Sequence, residues 1–237
     1  FLSIEVKEMK ATDKIALLVS GKVTLPTEYE GLPVIAVTGF GFQGDMSASS
    51  VAQPDVTHIY WYGTPQVRRI VSNGQASAFG MCAKLKYFQL PESLRVIGVR
   101  AFTNCSALQP LDFSEASNLV TIDDYAFTAA FDKNSATVSE FVLPGSLRGV
   151  GSYAIGNTGL DIDTLIFGGV GDPTQIQNLG SDDITWAITY STGGDRVINK
   201  VRVYAEGGML TERQAFLFDM NNNRVKRETS AYEVLQA

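Results

Sequence analysis

One stretch, Leu85 to Cys105, constrains this chain more than any other feature because most of the sequence repeats it imperfectly. It holds a first apolar piece of the form Leu-x-x-Phe-x-Leu-Pro, a second of the form Leu-x-x-Ile-Gly, and a turn of the form Ala-Phe-x-x-Cys. Phe79 and Phe102 mark a period of 23 residues. A unit of this length with one apolar strip cannot fold alone, so the pattern predicts stacked repeats that share one core.

Both apolar pieces recur, and so does the turn. Copies of the first piece begin at Val56, Leu108, Val138, Ile162 and Ile198, and copies of the second begin at Val34, Val67, Leu119, Leu147 and Ile176. The turn carries a bulky residue at Phe42, Phe79, Phe102, Phe127, Ile155 and Ile184, and in most copies a small residue follows three positions later. Like residues at like positions predict ladders of side chains that stack from repeat to repeat.

The combination Leu-Pro-x-Ser-Leu-x-x-Ile-Gly-x-x-Ala-Phe-x-x-Cys at Leu90 to Cys105, together with its copy from Leu143 to Ile155, resembles the BspA-like leucine-rich repeats. The resemblance implies a β-rich leucine-rich-repeat solenoid. In such a fold, parallel strands follow a right-handed superhelix, with short helical turns on the convex side. It also implies a secreted or surface-attached protein of bacteria or some protists that binds other proteins or surfaces.

The repeat register predicts one continuous domain in three parts. Residues 1–31 are expected to form an N-terminal cap, residues 32–187 the repeats of about 23 residues, and residues 188–237 the last coil and a C-terminal cap. Caps are expected because an open end of a repeat stack exposes both the core and a strand edge. A capping box at Thr211 to Gln214 predicts a short helix that ends near Phe218. The chain is expected to be a monomer.

Composition narrows the class of protein and of partner. The chain is 45% apolar and 19% charged with a net charge of −6, which is typical of a soluble, well-buried domain. No apolar run approaches the roughly 18 residues of a membrane span, and the negative charge argues against a nucleic-acid partner. No signal segment is recognisable, so an extracellular or cell-surface location is expected from the resemblance alone.

Charge is distributed unevenly along the sequence. Residues 65–111 carry six basic residues against Glu92 alone, and residues 112–183 carry eleven acidic residues against two basic ones, so the net charges are +5 and −9. Such a field could steer a charged partner. The alternative is that these charges are simply solvated on outward strand positions.

The predicted binding face consists of the outward positions of the first apolar piece, because stacked parallel strands present these positions as one continuous surface. We expect the contacts at His58, Tyr60, Lys86, Tyr87 and Gln89. Exposed aromatic side chains beside polar groups suit recognition of a protein or a sugar. The leading hypothesis is a protein-binding module for adhesion or host interaction, and a glycan-binding accessory domain is the alternative. The two tyrosines could instead serve only cross-strand packing.

Nothing in the sequence favours an enzyme. His58 is the single histidine, and an isolated imidazole on a strand face is a weak candidate for a general base. The GxGxxG motif at Gly39 to Gly44 lacks the apolar helix that a dinucleotide site requires after it. Pairs such as Asp123-Asp124 lack the spacing of a calcium loop. We therefore expect no catalytic residue, no cofactor and no metal.

Cys82 and Cys105 occupy the same repeat position in neighbouring repeats. Parallel strands lie roughly 4.8 Å apart, which a disulfide tolerates, so a bridge is possible. The alternative is a pair of buried thiols that act as small apolar residues, as alanine does in the same ladder.

Overall fold

A computed structural model describes residues 21–29, 31–38, 56–72, 77–132, 137–155, 158–169, 171–176, 198–204 and 232–234. The described residues are rich in short strands, and none of them is helical. Three groups of strands run parallel, and one short antiparallel hairpin, β2 (Glu28–Tyr29) with β3 (Leu32–Pro33), joins the first apolar piece to the second. Successive repeats therefore stack with their strands side by side.

The second apolar pieces form one five-stranded parallel sheet. Its strands, in spatial order, are β4 (Ala36–Val37), β6 (Arg69–Ile70), β8 (Val96–Ile97), β9 (Thr121–Ile122) and β11 (Gly149–Val150). The second residue of each strand is buried. The register aligns the buried residues of neighbouring strands, as in Ile70 beside Ile97 and Ile97 beside Ile122. The predicted ladder is thus a row of apolar side chains held by strand pairing.

The first apolar pieces form two parallel sheets. One contains β1 (Lys22–Leu25), β5 (His58–Trp61) and β7 (Tyr87–Phe88), and the other contains β10 (Val138–Leu143), β12 (Ile162–Phe167), β13 (Ile198–Val203) and β14 (Tyr232–Val234). The copy at residues 108–113, which lies between them, forms only an isolated bridge from Leu108 to Phe131. Pro110 lies inside this copy, and proline interrupts a strand because it has no backbone N–H.

The turns that carry the bulky residue connect repeats through their own hydrogen bonds. The Phe102 N–H donates to the Ala126 carbonyl of the next repeat at 2.9 Å, whereas the following N–H of Thr103 donates within the turn to Arg100 at 3.2 Å. Neighbouring turns show the same alternation between a hydrogen bond to the next repeat and a hydrogen bond within the turn. Each turn is therefore fixed both locally and to the next repeat.

Positive backbone angles explain why these turns are not helices. Two positions of the turn adopt φ between 49° and 64° although they are not glycine: Met81, Asn104 and Ala129 two residues after the bulky one, and Arg100, Tyr125 and Tyr153 two residues before it. A residue with positive φ cannot continue a right-handed helix. The predicted short helical turns are thus not confirmed, and the right-handed superhelix stays a prediction.

Aromatic stacking joins the repeats in the core. Phe102 is fully buried between Phe79 and Phe127, with ring centroids 5.3 Å and 5.4 Å away and nearly parallel planes. Phe88 meets both Phe79 and Phe102 edge to face. Such aromatic pairs contribute beyond the area that they bury, so this ladder is the centre of the core.

The predictions for the cysteines, the N-terminal cap and two sequence motifs have different outcomes. Cys82 and Cys105 are buried and are not joined by a disulfide. The Cys105 thiol donates to the Phe79 carbonyl at 3.1 Å. β1, at the end of the predicted N-terminal cap, pairs in parallel with β5 and so extends the repeat sheet. The GxGxxG motif and the predicted helix at residues 211–218 lie outside the described residues. The three-part division of the chain stays a prediction.

Candidate functional site

Three aromatic side chains, those of His58, Tyr60 and Tyr87, lie together on the outer face of the β1-β5-β7 sheet, and we call them the aromatic cluster. The ring centroids of Tyr60 and Tyr87 are 5.3 Å apart, and the His58 ring is 6.1 Å from each of them. The rings of His58 and Tyr60 are parallel within 6°, whereas Tyr87 is tilted by 34° to 35°. The cluster is one continuous aromatic surface.

Strand alternation and register create this cluster. His58 and Tyr60 alternate along β5 with Ile59 and Trp61, which are buried. Because side chains alternate between the faces of a strand, burial of this apolar pair turns the other two outward. The backbone register places His58 beside Tyr87 of the next strand. The cluster thus follows from core packing beneath it.

A hydroxyl group fixes the ring of His58. The Thr57 Oγ1 lies 2.8 Å from the His58 Nδ1 and also donates to the Gly21 carbonyl at 3.0 Å. Because a hydroxyl has a single proton, the Thr57 oxygen accepts from Nδ1–H of His58. The neutral ring therefore carries its proton on Nδ1, and Nε2 remains an acceptor.

Two lysines determine the electrostatics around the cluster. Burial, then the charges of Lys22 and Lys86, lower the pKa of His58 from 6.5. Lys22 is the register partner of His58 on β1, and both lysines are exposed. The positive potential at the cluster disfavours an imidazolium and favours an approaching anion. A ligand that carries a carboxylate would complement this surface.

Gln89 lies at the edge of the cluster and also forms hydrogen bonds to Trp61 of the neighbouring strand. Its side-chain Oε1 accepts from the Trp61 backbone N–H at 3.2 Å, and its carbonyl accepts from the Trp61 Nε1–H at 2.8 Å. The buried indole is thereby satisfied. The predicted contact role of Gln89 stays a prediction, and the side chain has this structural role in addition.

Of the predicted binding residues, the structure brings together His58, Tyr60 and Tyr87, with Lys86 and Gln89 next to them. Glu140, another outward position of the first apolar piece, lies on the separate β10 sheet and forms an ion pair with Arg202 at 2.9 Å. The outward positions thus divide between two sheets. The copy at residues 108–113 still connects the two sheets, because the Gln109 N–H donates to the Lys86 carbonyl and the Asp132 N–H to the Leu108 carbonyl. The continuity of the predicted face stays a prediction.

Sequence reasoning missed two aromatic features, one exposed and one half-buried. Tyr62 follows β5 and is 75% exposed, the highest value among the large apolar side chains of the described residues. On the turns, the rings of Tyr125 and Tyr153 stack at 5.3 Å, and the Arg100 guanidinium lies 5.3 Å from the Tyr125 ring centroid. The shared position of these residues before each Ala of the turn motif is a signal that would have found this stack.

The repeat motif matches a known type of repeat. Residues 67–178 match the BspA type leucine rich repeat region in six copies. This stretch is a BspA-type leucine-rich-repeat region. β7 and Tyr87 lie inside it, whereas β5 with His58 and Tyr60 lies just before it. The aromatic cluster therefore spans the N-terminal boundary of the repeat region.

Two solved structures are similar to the chain. A leucine-rich-repeat protein of T. pallidum shares 22% identity, with 63% of this chain and 73% of that chain covered and a TM-score of 0.36. A leucine-rich-repeat protein of Bacteroides ovatus shares 21% identity, with 77% and 42% covered and a TM-score of 0.42. This chain thus spans less than half of the length of the second protein. A search of curated proteins found no match.

BspA-type repeats are generally non-catalytic modules of protein interaction, and proteins that carry them are typically surface-attached or secreted. The part of the chain that the structure describes contains no helix that could span a membrane. Within the same ranges, no three His, Cys, Asp or Glu side chains are grouped closely enough to hold a metal.

Proposed function

We propose that the chain is a non-catalytic, surface-attached or secreted module that binds a protein partner, in adhesion or host interaction, through the aromatic cluster. One observation carries the proposal: three contiguous rings on a strand-supported face, with Tyr87 43% exposed although it is a large aromatic side chain. Tyrosine is enriched at the centres of protein interfaces because it buries a large area with few rotatable bonds. Lys86 and Gln89 would form the polar rim.

The support beneath the cluster favours a rigid binding surface. Ile59 and Phe88 lie under it and are almost fully buried, and the β5-β7 pairing fixes their register. Side chains that are already held in place lose little entropy when a partner binds. Stacking of the repeat region against β5 would keep this geometry constant.

The alternative is a glycan-binding accessory domain that uses the same residues. A sugar ring stacks on one flat aromatic face, and the His58 and Tyr60 rings are parallel within 6°. The 35° tilt between the Tyr60 and Tyr87 rings prevents the whole cluster from acting as a single flat platform. A protein surface can adapt to such a tilt with several side chains, so we favour the protein partner.

The test is to measure binding of the purified chain to a panel of host extracellular proteins and, in parallel, to a glycan array. A Tyr60→Ala/Tyr87→Ala variant removes the cluster. The matched control is Tyr125→Ala/Tyr153→Ala, because these two rings are also 5.3 Å apart but belong to the turns.

We expect protein binding that the first variant weakens by at least about tenfold, which corresponds to about 1.4 kcal/mol, and that the control retains. Glycan binding with the same dependence would replace the protein partner by the accessory-domain function. Binding that survives loss of the cluster, or is lost only in the control, would show that the cluster is not the contact surface.

A further inference from the structure

A second charged surface lies on the five-stranded sheet. The residue immediately before the strand is arginine in three repeats: Arg68 before β6, Arg95 before β8 and Arg148 before β11. We call these three residues the arginine row. All three are exposed, whereas Val120, which occupies the same position before β9, is only half-buried and uncharged. The aromatic cluster belongs to a different sheet.

Backbone hydrogen bonds hold these positions in line. The Arg95 N–H donates to the Arg68 carbonyl, the Val120 N–H donates to the Arg95 carbonyl, and the Arg148 N–H donates to the Val120 carbonyl, each at 2.8 Å. Neighbouring strands lie roughly 4.8 Å apart. The backbone positions of Arg68 and Arg95 are therefore about 5 Å apart, and those of Arg95 and Arg148 about 10 Å apart.

The three guanidinium groups are available for an external anion. Within the described ranges, no carboxylate is close enough to any of them to form an ion pair. Arg69, next in sequence to Arg68, lies within β6 and not before it, so it does not belong to the row. Burial and then Asp124 raise the pKa of Asp123, and the charge of Arg69 lowers it.

We propose that the arginine row binds a linear anionic polysaccharide whose sulfate or carboxylate groups repeat along the polymer. A planar guanidinium binds such groups with two parallel hydrogen bonds, which a lysine cannot do. The row follows one position per strand and its backbone positions fall at multiples of the strand spacing, so it complements a narrow polymer with regular charges. A nucleic-acid duplex requires a broader basic surface, and an acidic protein has no inherent reason to repeat its carboxylates at this spacing.

Two variants of equal charge test the proposal independently of the aromatic cluster. Arg68→Gln/Arg95→Gln removes two charges from the row, and Lys22→Gln/Lys86→Gln removes two charges beside the cluster. The probe is a fluorescein-labelled heparin oligosaccharide, titrated at about 0.15 M salt and followed by fluorescence anisotropy. Circular dichroism checks that both variants are folded, and Arg148→Gln provides a second variant of the row.

We expect the arginine variant to bind the heparin oligosaccharide roughly tenfold more weakly than the original chain, and the lysine variant to bind within about twofold. An Arg68→Lys/Arg95→Lys variant should fall between them, because it keeps the charge but loses the paired hydrogen bonds. Binding should also weaken as salt is added.

Four results would overturn the proposal. The first is that the original chain does not bind heparin, and the second is that both double variants lose heparin binding equally. The third is that only the lysine variant loses heparin binding. The last is that poly-glutamate or DNA binds more tightly than heparin and depends on the arginines. The second would mean that net charge alone attracts the polymer. The last would assign the row to an acidic protein or to nucleic acid. The third would place the polymer beside the aromatic cluster instead of on the arginine row. The tyrosine variants test the protein-binding role of the cluster separately.

Discussion

The rings of Phe102 and Phe127 lie face to face in neighbouring repeats, with centroids 5.4 Å apart and planes 8° apart. Their backbones are not paired as strands, and the turn bond from the Phe102 N–H goes to Ala126, the residue beside Phe127. Ring stacking and turn hydrogen bonding thus act on the same two repeats. The turn is therefore a structural element of the repeat stack.

Replacing Phe102 by alanine should destabilise the protein strongly. The ring is fully buried and contacts Phe79, Phe88 and Phe127, and removal of a buried phenyl ring typically costs about 3–5 kcal/mol. We expect a loss of this size in the free energy of unfolding measured with urea. Val99→Ala is the control, since Val99 is 42% exposed and should change stability by less than about 0.5 kcal/mol. A decrease of less than about 1 kcal/mol in the free energy of unfolding of Phe102→Ala would contradict the view that the aromatic ladder is the centre of the core.

The glycine of the Ile-Gly element should be required where repeats approach closely. A Cβ on Gly98 would lie 2.9 Å from the Cα of Val71, so a neighbouring backbone would have to move. We expect Gly98→Ala to destabilise by about 1–3 kcal/mol, as overpacking does. Gly149→Ala is the matched control because its nearest contact, the Thr121 Cγ2, lies at 3.8 Å. The measurement is thermal unfolding of both variants. Equal melting temperatures would disprove the view that Gly98 is required by the close approach of Val71.

His58 should titrate below its ordinary pKa of 6.5 because of burial, then the charges of Lys22 and Lys86. It is the single histidine of the chain, so its ring protons give unambiguous NMR signals. We expect Lys22→Gln/Lys86→Gln to raise this pKa and Arg148→Gln to leave it unchanged. A titration midpoint above 6.5, or one that does not respond to the lysines, would contradict the electrostatics of the cluster.

The same shift in pKa predicts how stability depends on pH. Above pH 6.5 the ring is neutral in both states and contributes nothing. Between 6.5 and the lower pKa of the folded state, the unfolded chain binds the proton more readily, so the free energy of unfolding decreases as the pH falls. Below the pKa that His58 has in the folded state, the free energy of unfolding decreases no further on account of this residue. A His58→Gln variant should lack this part of the decrease in urea unfolding measured from pH 7.5 to pH 5, and an identical pH dependence would refute the link.

Both cysteines should be reduced and slow to react in the folded protein. Cys82 and Cys105 are buried, and burial, then the neighbouring Cys82, raises the pKa of the Cys105 thiol well above its ordinary value. The thiolate is the reactive form, so a thiol reagent such as dithionitrobenzoate should react slowly until urea unfolds the chain. The unfolded chain should then release two equivalents. Rapid reaction before unfolding, or no free thiol afterwards, would show an open core or a disulfide.

Much of the core could be predicted from sequence because the repeats carry the same residue types at the same positions. Phe79, Phe102 and Phe127 form the predicted ladder, and the two apolar pieces form parallel strands as expected. A ladder is recognisable without coordinates since stacking requires only that equivalent positions align. The pairing of Cys82 with Cys105 was left open for a related reason: equal position implies proximity but does not decide whether a bond forms.

Two departures from the predicted stack had local causes that a pattern of apolar residues does not reveal. Pro110 lies in the first piece of its repeat and interrupts the strand there, so the first pieces form two sheets and not one. Residues such as Arg100 and Asn104 adopt positive φ, which replaces the expected helical turns by hydrogen-bonded turns. Alternating local and inter-repeat bonds can stabilise that geometry only when a neighbouring repeat is in place.

The repeat, its period and the alternation that turns His58 and Tyr60 away from the core could all be predicted from the amino-acid sequence, because they depend on spacing along one chain. Contacts between repeats were needed to show that the Tyr87 ring completes a cluster with His58 and Tyr60, that Gln89 hydrogen-bonds to Trp61, and that three arginines lie in one row. These relationships depend on strand register between repeats. Register is fixed jointly by the packing of buried side chains and by hydrogen bonds between repeats, and neither can be derived from one repeat alone.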